Sequence, residues 1–474
     1  MNNGKLSSQA KNLLLGFIMV TGGIYCATAG ARSFGPGAPQ SLGALPAGEF
    51  RTSVESLPEP GRKLTLQWLQ SIEFTSRDLA SMRVDSQGGV YYADTFVTAA
   101  RPAGTAAPAG KVTAKEVFRL HSHPGAEYKV FIDFDGGVVS GTAWNNTSGK
   151  ESLEAAPYDT DGKPGRFSAT ELAAMKAIWQ EVAEDFAPFK VDVTTEDPGQ
   201  SGGSTGWILV TQSSGGKQSS LPEPEAGGVS YINTFGFSQT PYYAPAFVYT
   251  NHLGTTTAVA GAVSHGMGHL LGLSHDGAAV GTGSKVSWAP IMGLDLNQDV
   301  TQWSMGGSNS QDDIAILTGR MGLRRDDHDD TRYDKGTRLV VDANGRVNQA
   351  AGRSTRNQGV IEDRDDVDVF VFKAAAGNVD LMVTPAWRTI AGSGQQGGNL
   401  DIHVALYDAR GKRVAEQGPR NTTAAHLKAS VPGGRYVLEV KGVSNPAVSN
   451  SDYGSIGQYY ITGSLPSGSK TALR

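Results

Sequence analysis

The chain has 474 residues, 39% of them hydrophobic, and a formal charge of −5. At about 150 residues per domain it has room for roughly three folding units with real cores, which excludes pervasive disorder. An acidic balance without a long basic run argues against nucleic acid as a partner, and the single Cys26 leaves neither a disulfide framework nor a thiolate zinc site.

In chain order, the first segment reads as an export signal. Lys5 and Lys11 form a basic region, residues 13–20 are apolar, and Ala27-Thr28-Ala29 offers a small-residue cleavage site. Residues 1–29 are therefore expected to be a signal peptide, leaving a secreted, extracellular or periplasmic protein with no membrane span. An uncleaved signal anchor is the competing reading; Gly16, Gly22 and Gly23 dilute the apolar run and weigh against it. Residues 30–120 form a pro-region or accessory segment that ends in an Ala/Pro/Gly linker at 99–110.

Residues 121–323 alternate between strand and helix patterns. Residues 128–134 are strand-like. A helix is predicted over 167–186, opened by a Ser168/Glu171 capping box, with Leu172, Met175, Trp179, Val182 and Phe186 on one face. Strand candidates follow at 189–194, 206–211, 228–233 and 246–250, and a second helix runs from after Thr255 to about Leu271. This order predicts an α/β unit with a mixed sheet backed by two long helices. Residues 324–345 read as an Asp-rich linker, in which Asp326, Asp327, Asp329 and Asp330 are either solvated or ligands for a hard cation. In 346–474, about seven short alternating runs bounded by turn residues predict an all-β sandwich.

Six of the nine histidines are scattered, at His121, His123, His252, His328, His403 and His426. The other three lie in HGMGHLLGLSH. His265 and His269, four apart on a helix, project to one side. Gly272 can end that helix in a left-handed turn and bring His275 back to the same point. Three neutral imidazoles converging in this way match tetrahedral Zn²⁺ with the fourth position open to water.

Residues 265–276 resemble the zinc signature of the metzincin peptidases, most closely the reprolysin-like branch. Ala289-Pro290-Ile291-Met292-Gly293 resembles the family's Met-turn, and DFDG at 133–136 with SGTAWN at 140–145 resembles secreted bacterial members. The resemblance covers about 128–320. It implies a metzincin-like catalytic domain holding zinc on His265, His269 and His275, with Met292 as an apolar floor. It also implies hydrolysis of protein or peptide substrates by zinc-bound water. One departure stands out: Gly266 occupies the position of the family's general-base Glu, and loss of a general base costs about 10²–10⁴-fold. Glu223, Glu225 and Asp276 are the carboxylates considered as substitutes. The C-terminal part, about 360–466, resembles the bacterial pre-peptidase C-terminal domain through Asp365-Asp366-Val367-Asp368-Val369-Phe370, residues 400–408, and Pro432-Gly433-Gly434-Arg435-Tyr436. Asp363, Asp365, Asp366 and Asp368 there are either Ca²⁺ ligands or a solvated strand entrance. Two functions are implied: a secreted zinc metallopeptidase impaired at Gly266, or a catalytically inactive zinc-binding pseudopeptidase acting as a binding or adhesion protein.

Overall fold

The computed structural model describes residues 31–97, 112–199, 202–213, 221–277, 287–306, 309–331, 336–347, 357–387, 396–419, 421–444 and 451–467. The signal segment with Cys26 and the 99–110 linker lie outside the described residues.

Two helices open the chain: α1 (Glu49–Glu55) and α2 (Glu59–Gln70). They pack with Phe34, Phe74 and Met82 around a small core of their own. Strands β1 (Met82–Val84) and β2 (Val90–Asp94) follow. They belong to the main sheet, whose other strands are β3 (Tyr128–Asp133), β4 (Val191–Thr194), β5 (Thr205–Thr211), β6 (Gly228–Tyr231) and β7 (Ala246–Tyr249). The order across this sheet is β1-β2-β6-β7-β5-β3-β4. The β7, β5, β3 and β4 neighbours are parallel, and the β1, β2, β6 and β7 neighbours antiparallel. The stretch 30–120, expected as a pro-region or accessory segment, thus contributes two strands that are integral to the sheet.

Helix α3 (Ala169–Asp185) starts at the Ser168/Glu171 capping box. Leu172, Met175, Ile178, Val182 and Phe186 are buried against the sheet, each contributing about 1.5–3 kcal/mol. Ile178 takes the inward place expected of Trp179, whose indole N–H reaches out to the Val193 carbonyl instead, at 2.8 Å. Helix α4 (Thr256–Leu271) is capped by the Thr255 side chain and ends at Gly272, whose φ of 107° only glycine adopts without strain. Both helices cover one face of the sheet, as the mixed α/β pattern implies. A shorter helix, α5 (Asp313–Met321), follows.

The C-terminal region is all β. Its strands are β8 (Asp368–Ala374), β9 (Gly377–Pro385), β10 (Ile402–Asp408), β11 (Arg413–Gln417), β12 (Ala425–Val431), β13 (Gly434–Gly442) and β14 (Gly457–Ser464). Strands β8, β13, β10 and β11 form one sheet, joined at its edge by Thr337–Arg338 from the stretch read as a linker. Strands β14, β9 and β12 form the other, with Gln358–Ile361 and Arg346–Val347 added to β14. The two sheets enclose a single apolar core that includes Phe370, Leu381, Leu406, Leu427 and Ile461.

Candidate metal centre

Helix α4 carries His265 and His269 one turn apart, both fully buried, and the left-handed turn at Gly272 returns the chain so that His275 joins them. The helix is close-packed where these residues sit. The space a Cβ would need on Gly268 is filled by the sulfur of Met292, and a Cβ on Gly266 would lie 3.0 Å from Ser230 Oγ on β6. Met292 is thus seated against the helix at Gly268, between the first two imidazoles in sequence.

The tautomers are set by the hydrogen bonds. His265 Nδ1–H donates to the Ile291 carbonyl at 2.9 Å and His269 Nδ1–H to the Leu273 carbonyl at 2.7 Å. A carbonyl only accepts, so both protons sit on Nδ1. The two bare Nε2 atoms then face each other at 3.0 Å, an arrangement of opposed lone pairs that a cation between them resolves. Carbonyls of this kind commonly fix the orientation of metal-binding imidazoles.

A fourth group at this point has no counterpart in the sequence motif. Asp94, the last residue of β2, has Oδ2 at 3.2 Å from His269 Nε2 and 3.5 Å from His265 Nε2, and Oδ1 at 3.1 Å from His275 Nε2. Asp94, His265, His269 and His275 each offer a ligand atom, all within 4.8 Å of one another and all buried. Where the sequence leaves a fourth position to water, this carboxylate supplies a fourth ligand-type group. Other residues of the upstream segment surround it. Asp78 Oδ1 lies 3.3 Å from His275 Nδ1. The Tyr92 ring stacks on His269 at 4.0 Å, and Phe96 meets His265 edge-on at 5.2 Å.

Without an ion, the charges at this point are compensated within the protein. Burial pulls His269 down to about 4. Burial also opposes a proton on His275, but the Asp94 and Asp78 carboxylates outweigh it and hold that imidazole up at about 10. Burial pushes Asp94 up, yet His275 and His269 overcome it and keep the carboxyl well below its usual range. The donor set of three imidazoles and one carboxylate, with opposed nitrogens, fits a divalent metal ion. Asp78 would balance the remaining charge.

Of the three carboxylates considered as a substitute base, two are engaged elsewhere and the third is exposed. Glu223 accepts from Tyr91 Oη at 2.9 Å. Tyr91 points to the opposite side of the sheet from Tyr92, as alternation along a strand requires. Glu225 is exposed. Asp276 accepts from Ser304 Oγ and belongs to a buried pair with Asp313. Sequence reasoning missed Asp94 and Asp78 because each is an isolated acid far upstream, with no spacing relation to the histidines.

A second group of possible ligands is purely carboxylate. Asp326 comes together with Glu362 and Asp366, and beside them Asp327, His328 and Asp368 form another group. Glu362 and Asp366 are buried, and both Glu362 oxygens and Asp366 Oδ1 lack a hydrogen-bond partner. Burial, then neighbouring carboxylates, push Glu362 and Asp366 well above their ordinary range. The solvated strand entrance therefore fails for Asp366 and Asp368, which are inside. It holds for exposed Asp365, and Asp363 is half-buried. Asp329 and Asp330 are not part of either group. Glu362 carries no sequence signal that sets it apart from other acids. His121 pairs with Asp192 at 2.7 Å and Glu196 at 2.9 Å, and it takes no part in the centre.

No protein-family model and no curated protein matches the chain. Among solved structures, it is similar to the pre-peptidase C-terminal domain of a collagenase from Bacillus anthracis. The identity is 18%, the overlap covers 28% of this chain and 96% of that one, and the TM-score is 0.18. A likeness of that size carries no argument about function. Among the described residues, no helix is long and apolar enough to cross a membrane.

Proposed function

We propose that the protein is an exported zinc metallopeptidase of the metzincin type whose hydrolytic step is impaired. One observation carries this reading: His265, His269 and His275 bring ligand-type nitrogens to a single buried point. Nitrogen donors with one carboxylate suit Zn²⁺ better than Mg²⁺ or Ca²⁺. When bound, zinc would supply Lewis acidity toward a peptide carbonyl and acidify water. The protein's own residues then explain why turnover is weak. Gly266 offers no side chain to take the proton from water or return it to the leaving amine. Asp94 stands where water and substrate would enter, so the centre has the four protein donors of a closed site.

A second reading is favoured by the same two features. With no base and a closed fourth position, the chain is a zinc-loaded pseudopeptidase acting by binding rather than hydrolysis. Metal content and turnover of an unfolded protein substrate, with and without chelator, separate the two. Chelator-sensitive cleavage by the protein and its Asp94→Ala variant supports a peptidase. One zinc per chain with no cleavage by either supports the silent form. Absence of zinc from purified protein, together with failure to take it up, would defeat both.

A further inference from the structure

The last turn of α3 holds three carboxyls that the metal centre does not use. Glu181, Glu184 and Asp185 are each no more than 2% exposed, where the helix meets the C-terminal β region. Glu184 Oε2 accepts from the Gln458 backbone N–H at 3.3 Å. Its other oxygen faces Gly457, where a Cβ would come within 2.6 Å of it. Glu181 faces Gly397 still more closely and lies near the Thr257 side chain on α4. Asp185 accepts from Ser264 Oγ on α4 and lies near the Asn399 side chain. The loop at 396–399 is stitched to residues 297–302 by Gln396 to the Asn297 carbonyl, Gly397 N–H to Gln298 and Gly398 N–H to Asp299. The junction is therefore tightly seated around three acids.

Among the described residues, no cationic side chain balances them: the groups bearing on these carboxyls are one another, Thr257, Ser264, Asn399 and the Gln458 N–H. Glu181 Oε2, Glu184 Oε1 and Asp185 Oδ1 have no hydrogen-bond partner, and neither has Asn399 Oδ1. The C-terminal end of a helix also disfavours negative charge, and an ionised carboxylate buried without a partner costs several kcal/mol. Among the described residues, the three are not one of the groups whose ligand atoms gather within 4.8 Å, so one shared ion does not account for them. Neutral carboxyls do.

We propose that docking of the C-terminal β region on α3 is proton-linked: the region seats when Glu181, Glu184 and Asp185 are neutral and releases when they ionise. Burial raises all three, Asp185 to about 7 and the two glutamates well above their ordinary value of 4.5. A carboxyl whose folded value is raised binds more protons folded than unfolded. The docked form is therefore most stable below about pH 4 and weakens as pH rises through the raised values, about 7 for Asp185 and well above 4.5 for the two glutamates. Because Asp185 holds Ser264 and the 396–399 loop holds the chain after Met292, release would also loosen two supports of the metal centre.

The test uses the full chain. Small-angle scattering at about pH 5 and about pH 9, on either side of the window, reads docking. Infrared spectroscopy reads protonated carboxyls. We expect a larger radius of gyration at the higher pH, with loss of that part of the protonated-carboxyl band which the triple variant lacks, and unchanged β-type circular dichroism. The Glu181→Gln/Glu184→Gln/Asp185→Asn variant should stay compact throughout. Should that variant not fold, Glu184→Gln alone should remove part of the infrared band at about pH 5. A radius independent of pH, an expansion that persists in the triple variant, or recovery of the compact form on adding Ca²⁺ at high pH would each overturn the proposal. So would a wild-type spectrum without the band.

Discussion

The metal centre on α4 and the carboxylate cluster at the entrance to β8 gather a similar number of ligand-type side chains, yet they solve opposite problems. At the first, two acids and three imidazoles trade charge: Asp94 is driven down while His275 is driven up. At the second, Glu362, Asp366 and Asp368 are all driven up, with four unpartnered oxygens among them. The first can therefore fold without an ion at modest cost. The second needs protons or a cation to be stable at all. The donor atoms point to different ions as well, since imidazole suits zinc and carboxylate oxygen suits calcium.

The largest expected effect would break the comparison outright. His269→Ala should abolish zinc binding, measured by metal analysis of purified protein, while leaving any calcium response intact. If zinc survives, the metal is held elsewhere.

Next in size is the restoration of a base. Gly266→Glu should raise chelator-sensitive turnover by about 10²–10⁴-fold, with zinc content unchanged. The 3.0 Å approach of a Cβ to Ser230 Oγ makes Gly266→Glu/Ser230→Gly the better-fitting form. If Asp94 also blocks the site, the gain should appear fully only with Asp94→Ala added. Equal turnover in all variants would show that another group moves the proton.

Much of the fold and the histidine site is legible in the sequence, and some of it is not. The helix ending at Leu271, the turn at Gly272 and the convergence of His275 follow from local rules of spacing and handedness. The capping box at Ser168 and the alternation of the C-terminal strands are likewise local. Asp94 and Asp78 are not: Asp94 reaches the histidines through sheet pairing of β2 with β6, and Asp78 through a turn before β1 that meets the His275 backbone and ring, long-range contacts that no spacing encodes. Glu181 and Glu184 carry no sequence signal of burial, which comes with the approach of Gly397 and Gly457.

Asp78→Asn sharpens the comparison at a smaller scale. It should keep all four ligands yet weaken zinc by about 10–100-fold, as outer-shell changes typically do; chelator competition would measure it. An unchanged affinity would mean that His275 is oriented by packing against Tyr92 instead. Smallest of all, Ca²⁺ should raise the melting temperature of the wild type by a few degrees, in proportion to the logarithm of its concentration. Glu362→Gln should erase that rise. A calcium shift that persists in Glu362→Gln would remove the β8 cluster from consideration.

The place of β2 in the sheet has a consequence for how the chain is made. Gly228, where β6 begins, follows Asp94 by 134 residues, an interval on the order of ten seconds at ordinary rates of synthesis. Through that time residues 34–92 hold all but Ile232 of one small core, but β2 presents an open row of backbone donors and acceptors. An unpaired edge invites pairing with another chain. The strand that carries the fourth ligand is thus also the one that must be kept from a stranger's strand until β6 emerges to claim it.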